Sequence, residues 1–482
     1  MLGVAHVLGS FLAIFGGTYA LPFVCSLLTR DGQAFTYVIA AGISSGGGLL
    51  ISFATRGHSR ELKPRDGFLL ATLSWVLMSA SATIPLLVAI PGLSFTDAYF
   101  EAMSGLTTTG STILTGLDAL PPSINLWRNA LHWFGGLGII VLAVAVLPLL
   151  GVGGMQLYKA ETPGPVKDEK LTPRITETAK SLWVVYTVMT IIGIGALRLA
   201  GMSWFDAICH GMSALSLGGF STHDNSLGFY NSVTIEIVLS VLMVAASLNF
   251  ARHFVALRRL TLRPYKADPE ARAIVGLLAI SVFIVTLLLY FDGIYPSFFT
   301  ALRHASFNVI SMATTTGFVT ENFEQWPVFA PIWMLFLTCI TCSTGSTGGG
   351  VKMFRTLLLA RKAGRELKLL VHPSAMWPVR IGGKPVPERI GDSVLAFIFL
   401  YFMTVVTLTF AMLLTGLDFD SSFSAIVASI NNAGPGLAAV GPVHNFQSLT
   451  DVQTWICTAA MLVGRLEIFS VIVLFTPAFW RK

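Results

Sequence analysis

The chain has 482 residues, of which 54% are apolar and 12% charged, with a mean hydropathy of +0.72 and a net charge of +6. Soluble domains carry about 25% charged residues, so this composition excludes a disordered chain, a coiled coil and most water-soluble enzymes. The basic residues recur between apolar segments and form no single patch, which argues against nucleic acid as a partner.

A bilayer-spanning helix needs about 20 apolar residues. The first such run, 6–28, precedes the first basic residue, Arg30, and no small-residue cleavage site follows it. A secretory signal has the reverse order, so a retained membrane helix is expected. Further strong runs lie near 35–55, 67–90, 125–150, 181–200, 232–251, 273–291, 328–340, 393–416 and 453–478. More polar stretches near 95–108, 204–217, 298–315 and 421–432 have only the length of re-entrant segments.

Of the 31 Lys and Arg residues, 25 cluster at Arg56–Arg65, Lys159–Lys180, Arg252–Arg272, Arg355–Arg389 and Arg481–Lys482. Basic residues stay in the cytoplasm, so both termini are expected there. The re-entrant stretches then fall on the outer side, with Asp97, Glu101, Asp118, Asp206 and Asp224.

Each outer stretch ends in a glycine within a polar or small-residue cluster: Thr107-Thr-Thr-Gly-Ser111, Ser216-Leu-Gly-Gly-Phe220, Thr314-Thr-Thr-Gly-Phe318 and Asn431-Asn-Ala-Gly-Pro435. Aligning Gly110, Gly219, Gly317 and Gly434 also aligns Asp97, Asp206, His304 and Ser421 upstream, and Met103-Ser104, Met212-Ser213, Ile310-Ser311 and Val427-Ala428 between them. A repeat of this period is an architectural signal. The expected fold is an all-α polytopic membrane protein. Four pseudo-repeats of helix, pore helix, filter loop and helix surround one pore, with an extra N-terminal helix pair. The boundaries read as a hairpin at 1–60 and repeats at 61–158, 159–262, 263–370 and 371–482.

A cation entering a bilayer must replace its hydration oxygens, and rings of backbone carbonyls do this. Irregular backbone is tolerated at membrane depth only where it lines a cavity, and glycine permits the conformations that turn carbonyls inward. A short helix ending at the turn aims partial negative charge at the ion. The candidate filter is Thr108-Thr109-Gly110, Leu217-Gly218-Gly219, Thr315-Thr316-Gly317 and Asn432-Ala433-Gly434.

Those turns, with Trp-Phe-Gly-Gly-Leu-Gly-Ile-Ile at 133–140, Gly-Val-Gly-Gly-Met-Gln-Leu-Tyr at 151–158, Gly-Gly-Phe-Ser-Thr-His-Asp at 218–224, Gly-Ser-Thr-Gly-Gly-Gly-Val-Lys at 345–352, Asn-Asn-Ala-Gly-Pro-Gly at 431–436 and Gly-Arg-Leu-Glu at 464–467, resemble the TrkH/KtrB superfamily of potassium transporters. The resemblance covers essentially the whole chain, and the N-terminal helix pair matches the TrkH type. It implies one gated pore per chain, potassium ion as substrate with no tightly bound cofactor, and residence in a bacterial cytoplasmic (inner) membrane. It also implies a homodimer and a cytoplasmic ring of nucleotide-binding regulatory subunits of the TrkA type. One shared glycine per repeat departs from a TVGYG filter, so looser discrimination among potassium, rubidium, caesium and sodium is expected.

The third repeat is irregular below its filter. The run 328–340 is too short to span, and Ser343-Thr344-Gly345-Ser346-Thr347-Gly348-Gly349-Gly350 breaks the helix before Lys352. Each helical glycine costs about 1 kcal/mol relative to alanine. A mobile loop obstructing the pore is one reading, and a structural break for close packing is the other. A phosphate-binding loop is excluded because Val351, not Lys, follows Gly350. Arg465 falls about a dozen residues into the last apolar run. A charge there is costly and faces a cavity or partner. It reads as an electrostatic barrier beneath the filter, as a structural partner of Glu467 or of loop carbonyls, or as both.

Other candidates read as structural. His132, His210 and His304 lie near the outer segments, and Asp97 and Asp206 cap or complement helix starts. Cys339-x-x-Cys342 has no second pair or nearby histidine, and five cysteines are too few for a disulfide framework. The basic segment 355–389 is an anchor or a docking surface. No catalytic constellation is present, so a membrane enzyme is disfavoured. A carrier coupling potassium to protons or sodium would need mid-membrane carboxylates, and only Glu467 falls there.

Overall fold

The computed structural model describes residues 2–58, 64–145 and 175–481. The motif at 151–158, the basic loop from Lys159 and the proposed boundaries at 60/61 and 158/159 lie outside the described residues.

Among the described residues, six helices are long and apolar enough to cross a membrane, or eight if each of two bent pairs is one span. Burial is inverted relative to a soluble protein: Leu28, Leu199, Phe291 and Leu414 are exposed, whereas Ser79, Ser104, Thr107, Asn129 and His132 are buried. Exposed apolar surface on that scale marks contact with a non-aqueous partner, here the bilayer. The polar groups turn inward, where Thr107 bonds Met103 O, Asn129 bonds Asn125 O and His132 bonds Ser213.

The N-terminal pair is Leu2–Thr29, with a tighter turn at Gly17–Tyr19, packed on Ala34–Ala54. The two helices approach through Gly9 and Gly48. A Cβ on either would stand within 2.7 Å of the other's carbonyl oxygen. Small residues at such crossings let membrane helices touch by backbone.

The four short helices form where the residue pattern placed them, at Phe95–Leu106, Trp204–Ser216, Phe298–Ala313 and Phe419–Asn431. Their caps are Ser94, Ser203, Ser297 and Asp418, each accepting a backbone N–H of the first turn. The capping part of the reading for Asp97 and Asp206 is thereby corrected. These carboxylates sit three residues inside, in the first turn, where they complement the helix dipole.

Two apolar runs read as continuous spans are instead broken. The run 232–251 becomes Val233–Ser247 and Phe250–Arg259, bent by 105°, and 453–478 becomes Asp451–Arg465 followed by Ile468–Phe475, bent by 112°. The first break has a local cause: the Asn249 side chain accepts the Ala251 N–H and restarts a helix as its N-cap. At the second, Glu467 adopts φ +58°. Arg465 is therefore the last residue of its helix rather than a mid-span residue.

Below the third short helix, Phe329–Ile340 stops after 12 residues, and Met353–Val371 resumes beyond the glycine-rich segment. The latter helix, with a small hairpin pairing Arg380–Ile381 with Lys384–Pro385, packs on the span Glu388–Leu414. Lys362–Asp392 and Arg365–Glu388 ion pairs tie them.

Candidate functional site

The four turns differ in sequence and share one backbone. In each, the residue two before the glycine takes a left-handed φ: Thr108 +53°, Leu217 +55°, Thr315 +60° and Asn432 +52°. The glycines follow at +84°, +86°, +82° and +86°. The same helix-terminating bond closes every turn: Thr109 N–H to Ser104 O at 2.8 Å, and Gly218 to Ser213, Thr316 to Ser311 and Ala433 to Ala428 at 2.9 Å. This is the six-to-one closure of a left-handed helix end. A left-handed threonine or leucine costs about 1–2 kcal/mol, and strain of that kind persists only where the surroundings over-determine it.

The turns close on one another. A Cβ added to Gly110 would stand 2.0 Å from Gly218 O, one on Gly219 1.9 Å from Thr316 O, one on Gly317 2.5 Å from Ala433 O, and one on Gly434 3.3 Å from Thr109 O. Each repeat thus presents the carbonyl preceding its glycine to the glycine of the repeat before it, and the fourth presents its glycine to the first. The four repeats form a closed ring in chain order. All twelve residues singled out in the sequence belong to these four turns.

Polar side chains brace the ring from behind. Thr107 and Thr109 hydroxyls pair at 2.7 Å, and Thr314 and Thr316 at 2.8 Å. The Asn432 amide donates to Thr109 Oγ1 at 2.9 Å and to Met461 O at 3.1 Å, and Ser111 donates to Gly434 O at 2.8 Å. Behind the first two repeats lies a buried ion pair, Arg128 Nε to Glu101 Oε1 at 2.8 Å, with both side chains at most 1% exposed. Glu101 also accepts from Thr112 Oγ1 and the Ile113 N–H; Arg128 donates to Asn125 Oδ1 and Ser221 O and lies 4.4 Å over the Phe220 ring. This brace was not foreseen. The signal was present in Arg128, a charge inside the apolar run 125–150, since such a charge requires a partner.

The segment Ser343–Gly350 lies against one face of the ring. Gly349 N–H donates to Thr315 Oγ1 and Thr347 Oγ1 to Leu215 O, both at 3.1 Å. A Cβ on Gly349 would stand 1.9 Å from Asn431 O. Arg465 donates through Nη1 to Thr347 O at 2.7 Å and through Nη2 to Gly135 O at 3.0 Å. The segment therefore touches repeats two, three and four, and the arginine joins it to the first. Lys352 bonds back to Gly348 O. Of the two structural partners open to Arg465, the loop carbonyl is the one it meets. Glu467 pairs with Arg355 instead, at 2.8 Å.

The segment's other side is held by the elbow at Ser247–Phe250. Ser343 N–H donates to Ser247 O at 2.9 Å, Asn249 Nδ2 to Thr344 O at 2.8 Å, and Phe250 N–H to Gly345 O at 3.1 Å. Glu270, at the start of the next span, accepts from Ser343 Oγ at 3.0 Å and from the Thr344 N–H at 2.9 Å. No sequence pattern linked Glu270 to the segment, because 73 residues separate it from Ser343.

The three histidines are structural. His132 bonds Ser213 Oγ at 3.1 Å and stacks on Phe220, His210 bonds Asp206 O and Ser221 Oγ, and His304 stacks on Tyr295. Among the described residues, no group of three or more His, Cys, Asp or Glu side chains gathers to hold a metal ion.

A family model described as TrkH, cation transport protein, matches residues 31–482. The chain is 45% identical over 482 residues to the Trk system potassium uptake protein TrkH of Salmonella typhimurium, covering 99% of each. It is 39% identical to the Trk system potassium uptake protein TrkG of Escherichia coli K12, covering 99% of this chain and 98% of that one. The crystal structure of the potassium transporter TrkH from Vibrio parahaemolyticus superposes with a TM-score of 0.92 at 41% sequence identity, covering 100% of this chain and 99% of that one. Family model, overall architecture and full-length identity agree: the chain belongs to the TrkH family of cation transport proteins.

Proposed function

We propose that this chain takes up potassium across a bacterial cytoplasmic membrane through a gated, channel-like pore. The observation that carries the reading is the closed ring of Thr109, Gly218, Thr316 and Ala433 carbonyls against the four glycines. Four short helices end at that ring, so their partial negative ends favour a cation there. Carbonyl oxygens replace the ion's lost hydration shell, and no side-chain carboxylate is needed. The transported ion is potassium because the relatives named above are potassium uptake proteins.

Ser343–Gly350 is the gate in this reading, with Lys352 and Arg465 placing positive charge beneath the ring. The basic segment 355–389 faces the cytoplasm with both termini and docks a regulatory ring of the TrkA type. Two chains form a homodimer, each with its own pore. The alternative of a proton- or sodium-coupled carrier requires a free buried carboxylate. Glu101, Glu236 and Asp268 instead face Arg128, Arg303 and Arg252, and Glu270 holds the loop.

The test is cation flux into proteoliposomes, potassium against sodium, for the native protein and Gly317→Ser. A side chain at Gly317 collides with Ala433 O, so potassium preference is expected to relax towards sodium. Flux that requires a proton or sodium gradient, or a preference untouched by the substitution, would overturn the reading.

A further inference from the structure

Away from the ring, a groove of about 520 Å³ opens between the second and third repeats. Its walls are apolar: Met189, Val241, Val244, Leu248, Leu257 and Ile310 line it. Val241 is 62% exposed and Leu257 47% exposed, so the groove faces outward rather than into the pore. It lies in the crook of the elbow, where Val233–Ser247 turns by 105° into Phe250–Arg259.

The helix after the elbow is amphipathic. Phe250, His253 and Ala256 are buried, while Leu257, Arg258 and, just beyond the helix, Leu260, Leu262, Arg263 and Lys266 are exposed. Exposed leucines interleaved with basic residues lie in the plane of a bilayer interface, and such basic clusters attract anionic headgroups. The groove is thus an apolar slot with a basic rim.

We propose that this groove seats an acyl chain of an anionic phospholipid, with the headgroup on the basic turn at 258–266, and that the bound lipid biases the gate through the elbow. This rests on the gating reading above. The basic rim favours an anionic amphiphile over an uncharged apolar surface. The elbow links lipid to loop directly. His253 Nε2 bonds Ala245 O at 2.8 Å across the bend, and His253 Nδ1 pairs with the Tyr265 hydroxyl at 2.7 Å. His253, Ala245 and Tyr265 all line the groove. Ser247, Asn249 and Phe250, at the same bend, hold Ser343, Thr344 and Gly345. A chain wedged in the crook stiffens the bend that clamps the loop.

The experiment uses the full chain. Native mass spectrometry counts phosphatidylglycerol retained against phosphatidylcholine, and rubidium flux is read in phosphatidylcholine vesicles with and without phosphatidylglycerol. Val241→Trp fills the groove from an exposed position, and Arg258→Glu with Lys266→Glu reverses the rim. The native protein is expected to retain phosphatidylglycerol selectively and to change its flux several-fold when that lipid is added. Both variants should lose the retained lipid and the response. Equal retention of the two lipids, retention unchanged in Val241→Trp, or efficient cross-linking of two copies through Val241→Cys would overturn the proposal. Arg465→Ala in the same vesicles separates the two readings. If it raises flux while native flux ignores lipid, the gate stands and the lipid site falls. If lipid alters flux while Arg465→Ala changes nothing, the route through the loop is overturned.

Discussion

The ring and the loop beneath it solve opposite problems with the same residue. In the ring, four sequences as different as Thr-Thr-Gly and Asn-Ala-Gly adopt one backbone, and each glycine admits its neighbour's carbonyl. In the loop, glycines found in a single repeat admit unlike partners: Asn431 O of the fourth repeat at Gly349, and the Thr338 and Cys339 carbonyls of their own repeat at Gly350. The ring is built by repetition and the loop by exception. In the pore proposed above, equivalent oxygens would serve an ion from all sides, whereas the loop's contacts are each made once, with a different partner. Hydrogen bonds hold the loop at its elbow, at Glu270 and at Arg465, and each of these can be made or broken.

Substitutions can sharpen this contrast. The largest stability effect is expected from Glu101→Ala, which strands the buried Arg128 charge behind the ring and costs about 3–5 kcal/mol. Thermal unfolding of the purified protein reads it, and replacing both partners with leucine should recover part of the loss. An unchanged midpoint would mean the pair is not a brace. Within the ring, Gly219→Ala should abolish flux, since its Cβ meets Thr316 O at 1.9 Å. Gly434→Ala, with 3.3 Å available, should cost only the left-handed strain of about 1–2 kcal/mol. Equal damage from the two would break the idea that ring closure is what the glycines protect.

At the loop, Arg465→Ala removes two hydrogen bonds from a charged donor. One such bond is worth about 1.5–3 kcal/mol, and each 1.4 kcal/mol is tenfold in an equilibrium, so flux through the closed protein should rise by about tenfold or more. Unchanged flux at normal expression would sink the barrier. Glu270→Gln keeps an acceptor but loses its charge, and a smaller rise is expected in the same assay.

The smallest effect lies at the outer surface. The His223 ring hydrogen-bonds Asp118 and holds its carboxyl below the ordinary 3.8. A pKa lower in the folded than in the unfolded state stabilises above the unfolded value and is lost as pH falls through the folded one. The slight stability advantage of the native protein over Asp118→Asn should therefore be full at neutral pH, begin to fall near pH 3.8 and be lost only as pH drops through the lower folded value. A gap that persists in acid would assign it to packing.

Much of this was legible in the residues. The aligned glycines predicted the four turns, and the shorter, more polar stretches predicted the four short helices to within a few residues. The break at Ser343–Gly350 followed from glycines in a span. The elbows were less legible, because hydropathy averages over a window and cannot register a single Asn249 acting as a helix start. The Arg465 contacts were left open among alternatives, since a charge in an apolar run announces that a partner exists without naming it.

What the sequence determined by itself is local and periodic: helix ends, glycine positions, the class of membrane protein and the fourfold plan. Each follows from interactions within a few residues or from a pattern repeated along the chain. What only the tertiary structure decided is which distant groups meet. Arg128 joins Glu101 and Ser221, Arg465 joins Thr347 and Gly135, and Glu270 reaches Ser343. Those pairings are set by how four repeats close into a ring, which brings together polar groups that are far apart in the chain.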